Sequence, residues 1–317
     1  MDVYLIIVVV LFILAVSDLI VGISNDAANF INSSVGSKAA SLKVILSIAG
    51  LGVILGATFS SGMMEIARSG IFHPGQFYFS EIMIIFLAVM ITDVILLDTF
   101  NTFGFPTSTT VSIVFELLGA AVAISIIKIM NSTDSFADIG NYINTAKALA
   151  IIFGILFSVV IAFAFGTIIQ FITRLIFSFD FQKYMKYFGA LWGGVAITAI
   201  VYFILVKGAK GASFMTPEAL EWLGSNTMKV LLMAFVAFTV ILQLLYSLFK
   251  INILRIIVLV GTFSLAMAFA GNDLVNFIGV PLAGFESYRE FAADPSFNPD
   301  TMLMGALSEP VKTPTIF

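Results

Sequence analysis

Eight long apolar runs, nearly free of charge, decide what this chain can fold into. They fall near residues 3–22, 43–61, 82–99, 111–130, 147–177, 188–206, 229–249 and 252–270. In hydrocarbon every backbone N–H and C=O must be satisfied internally, so runs of this length read as membrane-spanning helices. Composition agrees, with 60% apolar residues and 11% charged, where a soluble domain carries about a quarter charged. The expected class is an all-α, polytopic membrane protein. The first run has Asp2 before it and no Lys or Arg. It lacks the basic start of a signal peptide and reads as a retained span. The chain has no Cys and a single His, His73, which excludes disulfides, thiolate chemistry and a histidine metal cluster. No basic cluster suggests nucleic acid.

Two short segments inside this apolar chain say nearly the same thing. Asn25-Asp26-Ala27-Ala28-Asn29-Phe30-Ile31 is echoed 247 positions later by Asn272-Asp273-Leu274-Val275-Asn276-Phe277-Ile278. A carboxylate at membrane depth is costly and marks function by default. One copy alone could be a helix cap built on Ser24, Asn25 or Asp26. Capping does not require the repeated Phe-Ile, so the pair suggests two inverted halves meeting at one site near the bilayer midplane. The stretch from Gly22 to Ser37 is polar, holds Asp26 as its one ionisable side chain and is punctuated by Gly. It predicts a broken or re-entrant helix, since irregular backbone at depth is tolerated where it lines a cavity. Asp26 and Asn29, three residues apart, share a helix face. Asp26 and Asp273 are expected to lie close together at such breaks, facing a shared cavity.

A third segment is Asn101-Thr102-Phe103-Gly104-Phe105-Pro106-Thr107-Ser108-Thr109-Thr110. Pro106 suits a first helical turn. Ser108, Thr109 and Thr110 then fall where free backbone N–H groups cluster, which makes an anion site without any Arg. A plain hydroxyl-capped helix is the alternative. Asp93, Asp98 and Glu116 are the remaining buried acids, either holding a cation or pairing structurally. Thr216-Pro217-Glu218 signals a helix start, expected to open a short interfacial helix. The tail from Phe285 is polar and Pro-punctuated, with no further span.

These motifs resemble those of the inorganic phosphate transporter family, the sodium- or proton-coupled phosphate symporters. The family's Gly-x-Asn-Asp-x-Ala-Asn segment, leading into Thr-Ser-Val-Gly-Ser, is similar to Asn25–Asn29 followed by Ser33-Ser34-Val35-Gly36-Ser37. Its second signature looks like Asn272–Gly279 with Pro281-Leu282-Ala283. Its Gly-Leu-Pro-Val-Ser-Thr-Thr-His segment is similar to Gly104–Thr110. The resemblance covers 1–130 and about 250–285 well, and the middle poorly. Val111 stands where the family usually has His, Ser24 where Ala is common, and Asn32 where Gly is common. The family's second Ser-Thr-Thr segment has no counterpart here. The repeat offset applied to Pro106 points beyond Phe317, so the chain is expected to be a fragment or to have a degenerate second half.

The resemblance implies a secondary transporter carrying inorganic phosphate with Na⁺ or H⁺. Its substrate-binding residues would be Asn25, Asp26, Asn29, Ser108, Thr109, Thr110, Asn272, Asp273 and Asn276. Na⁺ would sit at Asp26, Asp273, Asn29 and Asn276, and no cofactor is expected beyond such a bound Na⁺. Residues 1–130 would form the first inverted repeat, 131–228 the connection, and 229–317 the start of an incomplete second repeat. The expected partners are phosphate, the coupling cation, the lipid bilayer and, as one option, a second copy in a homodimer. No enzymatic activity is expected. The alternatives are a permease for sulfate or another oxyanion, an intramembrane aspartyl enzyme built on the two Asp, or a non-transporting receptor.

Overall fold

The computed structural model describes residues 2–58, 70–131, 136–204, 216–294 and 296–308, with the backbone alone at 137, 217 and 272–275. Eight α-helices follow one another: α1 (Val3–Gly36), α2 (Leu42–Thr58), α3 (Phe79–Phe103), α4 (Thr109–Asn131), α5 (Thr145–Phe177), α6 (Phe181–Tyr202), α7 (Pro217–Phe249) and α8 (Ile253–Phe291). Among the described residues seven of these are long and apolar enough to cross a membrane. Only α2, at 17 residues, is shorter. The protein is a multi-pass integral membrane protein.

Three helices differ from the sequence expectation in length. α1 does not break at Asp26 but continues for 34 residues, and α8 runs 39 residues through Asn272–Val275. The polar side chains of α1 explain its continuity. Ser17 Oγ donates to Ile13 O and Ser24 Oγ to Ile20 O, so these hydroxyls are satisfied on the preceding turn without opening the helix. α1 stops where Lys38 turns left-handed at φ 52° and Ala39 N donates to Ser34 O at 3.0 Å. Thr216 does cap a helix, its Oγ1 accepting from Ala219 N with Pro217 in the first turn. That helix is α7 itself rather than a separate interfacial piece.

The chain divides into two compact units. Unit 1 comprises residues 1–26, 62–155 and 272–317; unit 2 comprises 27–61 and 156–271. Of the four changes of unit along the chain, two fall at the repeated motif, after Asp26 and before Asn272.

Unit 1 is built on aromatic packing. Phe79 stacks on Phe291 at 4.3 Å between ring centroids, and Tyr4 lies 4.8 Å from Phe79. Phe72, Phe77, Phe86, Ile82 and Met83 are fully buried around them. The first turn of α3 finds partners in the tail: Phe79 N donates to Met302 O and Ser80 N to Pro299 O. Glu81 caps the same end by accepting from Tyr78 N at 2.7 Å and pairs with Lys128 at 2.8 Å. α8 crosses α1 closely. A Cβ added at Gly22 would lie 2.2 Å from Phe277 Cζ, and one at Gly284 2.6 Å from Leu11.

Unit 2 packs by small residues. α2 presents Ala49, Gly52 and Gly56 to α8, where a Cβ on Gly56 would meet the Met267 carbonyl oxygen at 2.2 Å. α6 meets α7 through Gly193 at Leu242 and Gly194 at Thr239. Small residues let membrane helices approach until their backbones touch. α5 leaves Phe157, Phe163, Phe165 and Phe171 exposed, as expected of a helix side facing lipid or a partner.

Candidate functional site

In unit 1 three of the segments singled out in the sequence are joined by side-chain hydrogen bonds. Gly104, left-handed at φ 69°, closes α3 and donates its N–H to Phe100 O and Asn101 O. The chain then turns through Phe105-Pro106-Thr107, and α4 opens at Thr109, so Pro106 lies in the turn before the helix rather than in its first turn as expected. Asn25 on α1 holds this turn. Its Nδ2 donates to Asn101 Oδ1 and to Phe105 O, both at 3.0 Å, and its Oδ1 accepts from Thr107 N at 3.0 Å. Asn101 Nδ2 donates back to Val21 O at 2.8 Å. From α8, Asn276 Nδ2 donates to Thr110 Oγ1 at 2.8 Å. The first motif, the Ser-Thr-Thr helix start and the second motif therefore form one hydrogen-bonded assembly.

Within this assembly Asn25, Asp26, Thr109 and Asn276 are buried, Thr110 is half-buried and Ser108 is exposed. The Thr109 hydroxyl has no partner among the described residues. Asn29 belongs to unit 2 and is exposed. The side chains of Asn272 and Asp273, and with them the expected approach of Asp26 to Asp273, lie outside the described residues. The amide of Asn25 has both hydrogens and its oxygen bonded to protein groups, which makes it the clamp of the turn.

The buried acids are distributed differently from the expectation. Asp98 is exposed, whereas Asp93 is wholly buried. Five residues turn a helix by about 500°, so the two acids point to different sides of α3. Glu116 is half-buried on α4, and Ser112 Oγ lies 2.5 Å from Asp93 Oδ1 and 2.8 Å from Glu116 Oε1. A third acid joins them from α1: Asp18, fully buried, with its carboxyl against that of Asp93. Sequence reasoning passed over Asp18, although an acid inside the first apolar run is itself the signal that should have marked it. It also passed over the clamping role of Asn25 and Asn101, which depends on a turn that local sequence does not reveal.

A sequence model of the phosphate transporter family matches residues 23–308. The chain belongs to this family. Two archaeal relatives bear the name of phosphate permease. The one from Pyrococcus furiosus is 26% identical over 276 residues, which is 84% of this chain and 63% of the relative. The one from Thermococcus kodakarensis is 28% identical over 196 residues, 61% of this chain and 45% of the relative. The chain thus spans less than two thirds of the length of these family members. A solved structure named as the sodium-dependent phosphate transporter shares the fold, with a TM-score of 0.68 at 20% identity over 97% of this chain and 72% of that one.

Proposed function

We infer that this protein carries inorganic phosphate across the membrane together with Na⁺ or H⁺. The observation that carries the reading is the joining of both Asn-Asp motifs' helices to the N-terminus of α4 through Asn25 and the Asn276–Thr110 bond, in a chain of the phosphate transporter family. A helix N-terminus offers unpaired backbone N–H groups and a positive dipole end to an anion. Ser108, Thr109 and Thr110 add hydroxyl donors there, and Asn276 orients Thr110. Asp26 and Asn276, with Asp273 of the second motif, would supply oxygen ligands for a hard cation. A bound cation offsets the repulsion between carboxylate and phosphate, which gives a physical reason for symport. Phosphate near neutral pH keeps a proton that can be donated to a carboxylate, whereas sulfate has none, so the site favours phosphate. Residues 1–130 and 229–317 would be inverted halves around it, separated by 131–228.

The test is uptake of labelled phosphate by liposomes containing the purified protein, with sulfate as competitor. Changing Thr109 and Thr110 together to Val keeps their volume and removes both hydroxyls. Phosphate affinity is expected to fall while folding and insertion persist. Unchanged affinity would leave these hydroxyls as helix caps, and equal competition by sulfate would move the substrate from phosphate to oxyanions in general.

A further inference from the structure

The transport reading uses Asp26 and the α4 helix start, and leaves the three acids beside them unexplained. We propose that Asp18, Asp93 and Glu116, three neighbouring acids of unit 1 with Ser112 between the last two, form a binding site for an exchangeable proton, reached through a groove between α3 and α4. The site stands on its own geometry; only its use in transport rests on the phosphate reading.

The hydrogen count is the first argument. Ser112 Oγ lies within hydrogen-bond distance of both Asp93 Oδ1 and Glu116 Oε1, but a serine hydroxyl has one hydrogen to donate. One contact is made by Ser112 donating. The other needs a hydrogen carried by the carboxyl. Asp18 gives the second argument independently. It is fully buried, and among the described residues no N–H or hydroxyl group donates to either of its oxygens. Asp93 Oδ2 and Glu116 Oε2 are likewise buried without a donor. A buried ionised carboxylate without a partner is far costlier than the neutral acid, so the group takes up a proton instead.

The surroundings select a proton over a base or a metal. The charged groups acting on Asp18 are Asp93 from α3 and Glu116 from α4. α8, which also packs on α1 here, touches Gly22 with Phe277 and Leu11 with Gly284, and carries buried Val280 between these contacts. Its acid and base beyond this stretch, Glu286 and Arg289, follow Gly284 in the chain. The Lys128–Glu81 pair occupies the opposite ends of α4 and α3. Among the described residues no three acids or His adopt a metal-holding arrangement.

Access comes through the space between α3 and α4. A groove of about 590 Å³ is lined by Thr92, Thr107, Ser112 and Glu116 among apolar neighbours. Asp93 and Asp18 do not line it. The acids therefore form a short series from Glu116 at the groove, through Ser112 and Asp93, to Asp18. A proton entering at Glu116 can pass inward by exchange along these oxygens.

The measurement is infrared absorption of protonated carboxyls in the purified full chain without phosphate, from mildly acidic to alkaline pH. The expected result is a protonated-carboxyl band at neutral pH that disappears on alkalinisation and is lost or weakened in Asp18→Asn and in Glu116→Gln. The wild-type titration needs no variant to fold. Absence of such a band at neutral pH overturns the proposal. So does a band unchanged in Asp18→Asn, Asp93→Asn and Glu116→Gln alike. A band removed by Na⁺ at constant pH makes the cluster a sodium site and overturns it too. In liposomes, Glu116→Gln should lose the stimulation of phosphate uptake by an inward proton gradient. A wild type that shows the band but moves no phosphate sinks the transport reading and leaves the proton site standing.

Discussion

Unit 1 and unit 2 are both bundles of apolar helices, yet they are held together by different means. Unit 1 buries Asp18, Asn25, Asp26, Asp93, Thr109, Ser112 and Asn276 and also holds an apolar core rich in aromatic rings. Unit 2 has fewer buried polar contacts, such as Ser34 with Thr262, and closes its helices through Gly52, Gly56, Gly193 and Gly194. Lipid tails are as apolar as Leu, so helix association in a membrane needs close backbone contact or interhelical hydrogen bonds rather than burial alone. Unit 2 relies on the first and unit 1 adds the second. Buried polar groups are expensive without partners, so their concentration in unit 1 is where function is expected, and unit 2 reads as framework.

This contrast can be broken at several points. The largest effect is expected at Asp26. Asp26→Asn keeps shape and removes charge, and should abolish most uptake and lower cation-dependent phosphate affinity by about 5–150-fold, the usual range of coupling between two ligands. Binding of phosphate with and without Na⁺ or a proton gradient measures it. Wild-type coupling would remove the central functional residue from unit 1. Next come the glycines. Gly56→Ala in unit 2 drives a Cβ into the Met267 carbonyl, which cannot swing aside, whereas Gly22→Ala in unit 1 meets the end of the Phe277 ring. Overpacking typically costs about 1–3 kcal/mol, and Gly56→Ala should lie at or above the top of this range, with Gly22→Ala milder. Thermal unfolding in detergent orders the two, and the reverse order would contradict the backbone-contact account of unit 2.

Asn25→Ala should cost about 1–3 kcal/mol, because Thr107 N–H, Phe105 O and Asn101 each lose a partner. It should also weaken phosphate binding, since the turn before α4 loosens. Unaltered binding would make the clamp purely structural. The smallest effect is expected at Ser34→Ala, where one interhelical hydroxyl contact is lost. Such contacts in membrane proteins average about 0.6 kcal/mol. A double-mutant cycle with Thr262→Val reads the pair directly, and a coupling energy as large as the loss at Asn25 would erase the distinction between the units.

Much of this was legible before any coordinates. The seven longer helices and α2 lie where hydropathy drops charge, and Thr216 and Pro217 start α7 as capping chemistry requires. The helix boundaries at the motifs were not legible. A polar, Gly-punctuated stretch at depth reads as a break, but Ser24 bonds its hydroxyl to the preceding turn and α1 stays whole. Asp93 and Asp98 looked alike in sequence. Only the rotation of α3 separates the buried acid from the exposed one.

The sequence by itself determined the membrane class, the order of the helices and the residue types available for binding. These follow from local properties: the length of apolar runs, the capping chemistry of Thr216 and Pro217, the donors of a Ser-Thr-Thr helix start. Tertiary structure alone decided which polar groups meet. Asn25 finds Thr107 82 residues away and Asn276 finds Thr110 166 residues away. Asp18, Asp93 and Glu116 come together from three helices. Such pairings are set by how helices cross and rotate, and in this chain the crossing of α1 with α8 is fixed by Gly22 lying against the ring of Phe277.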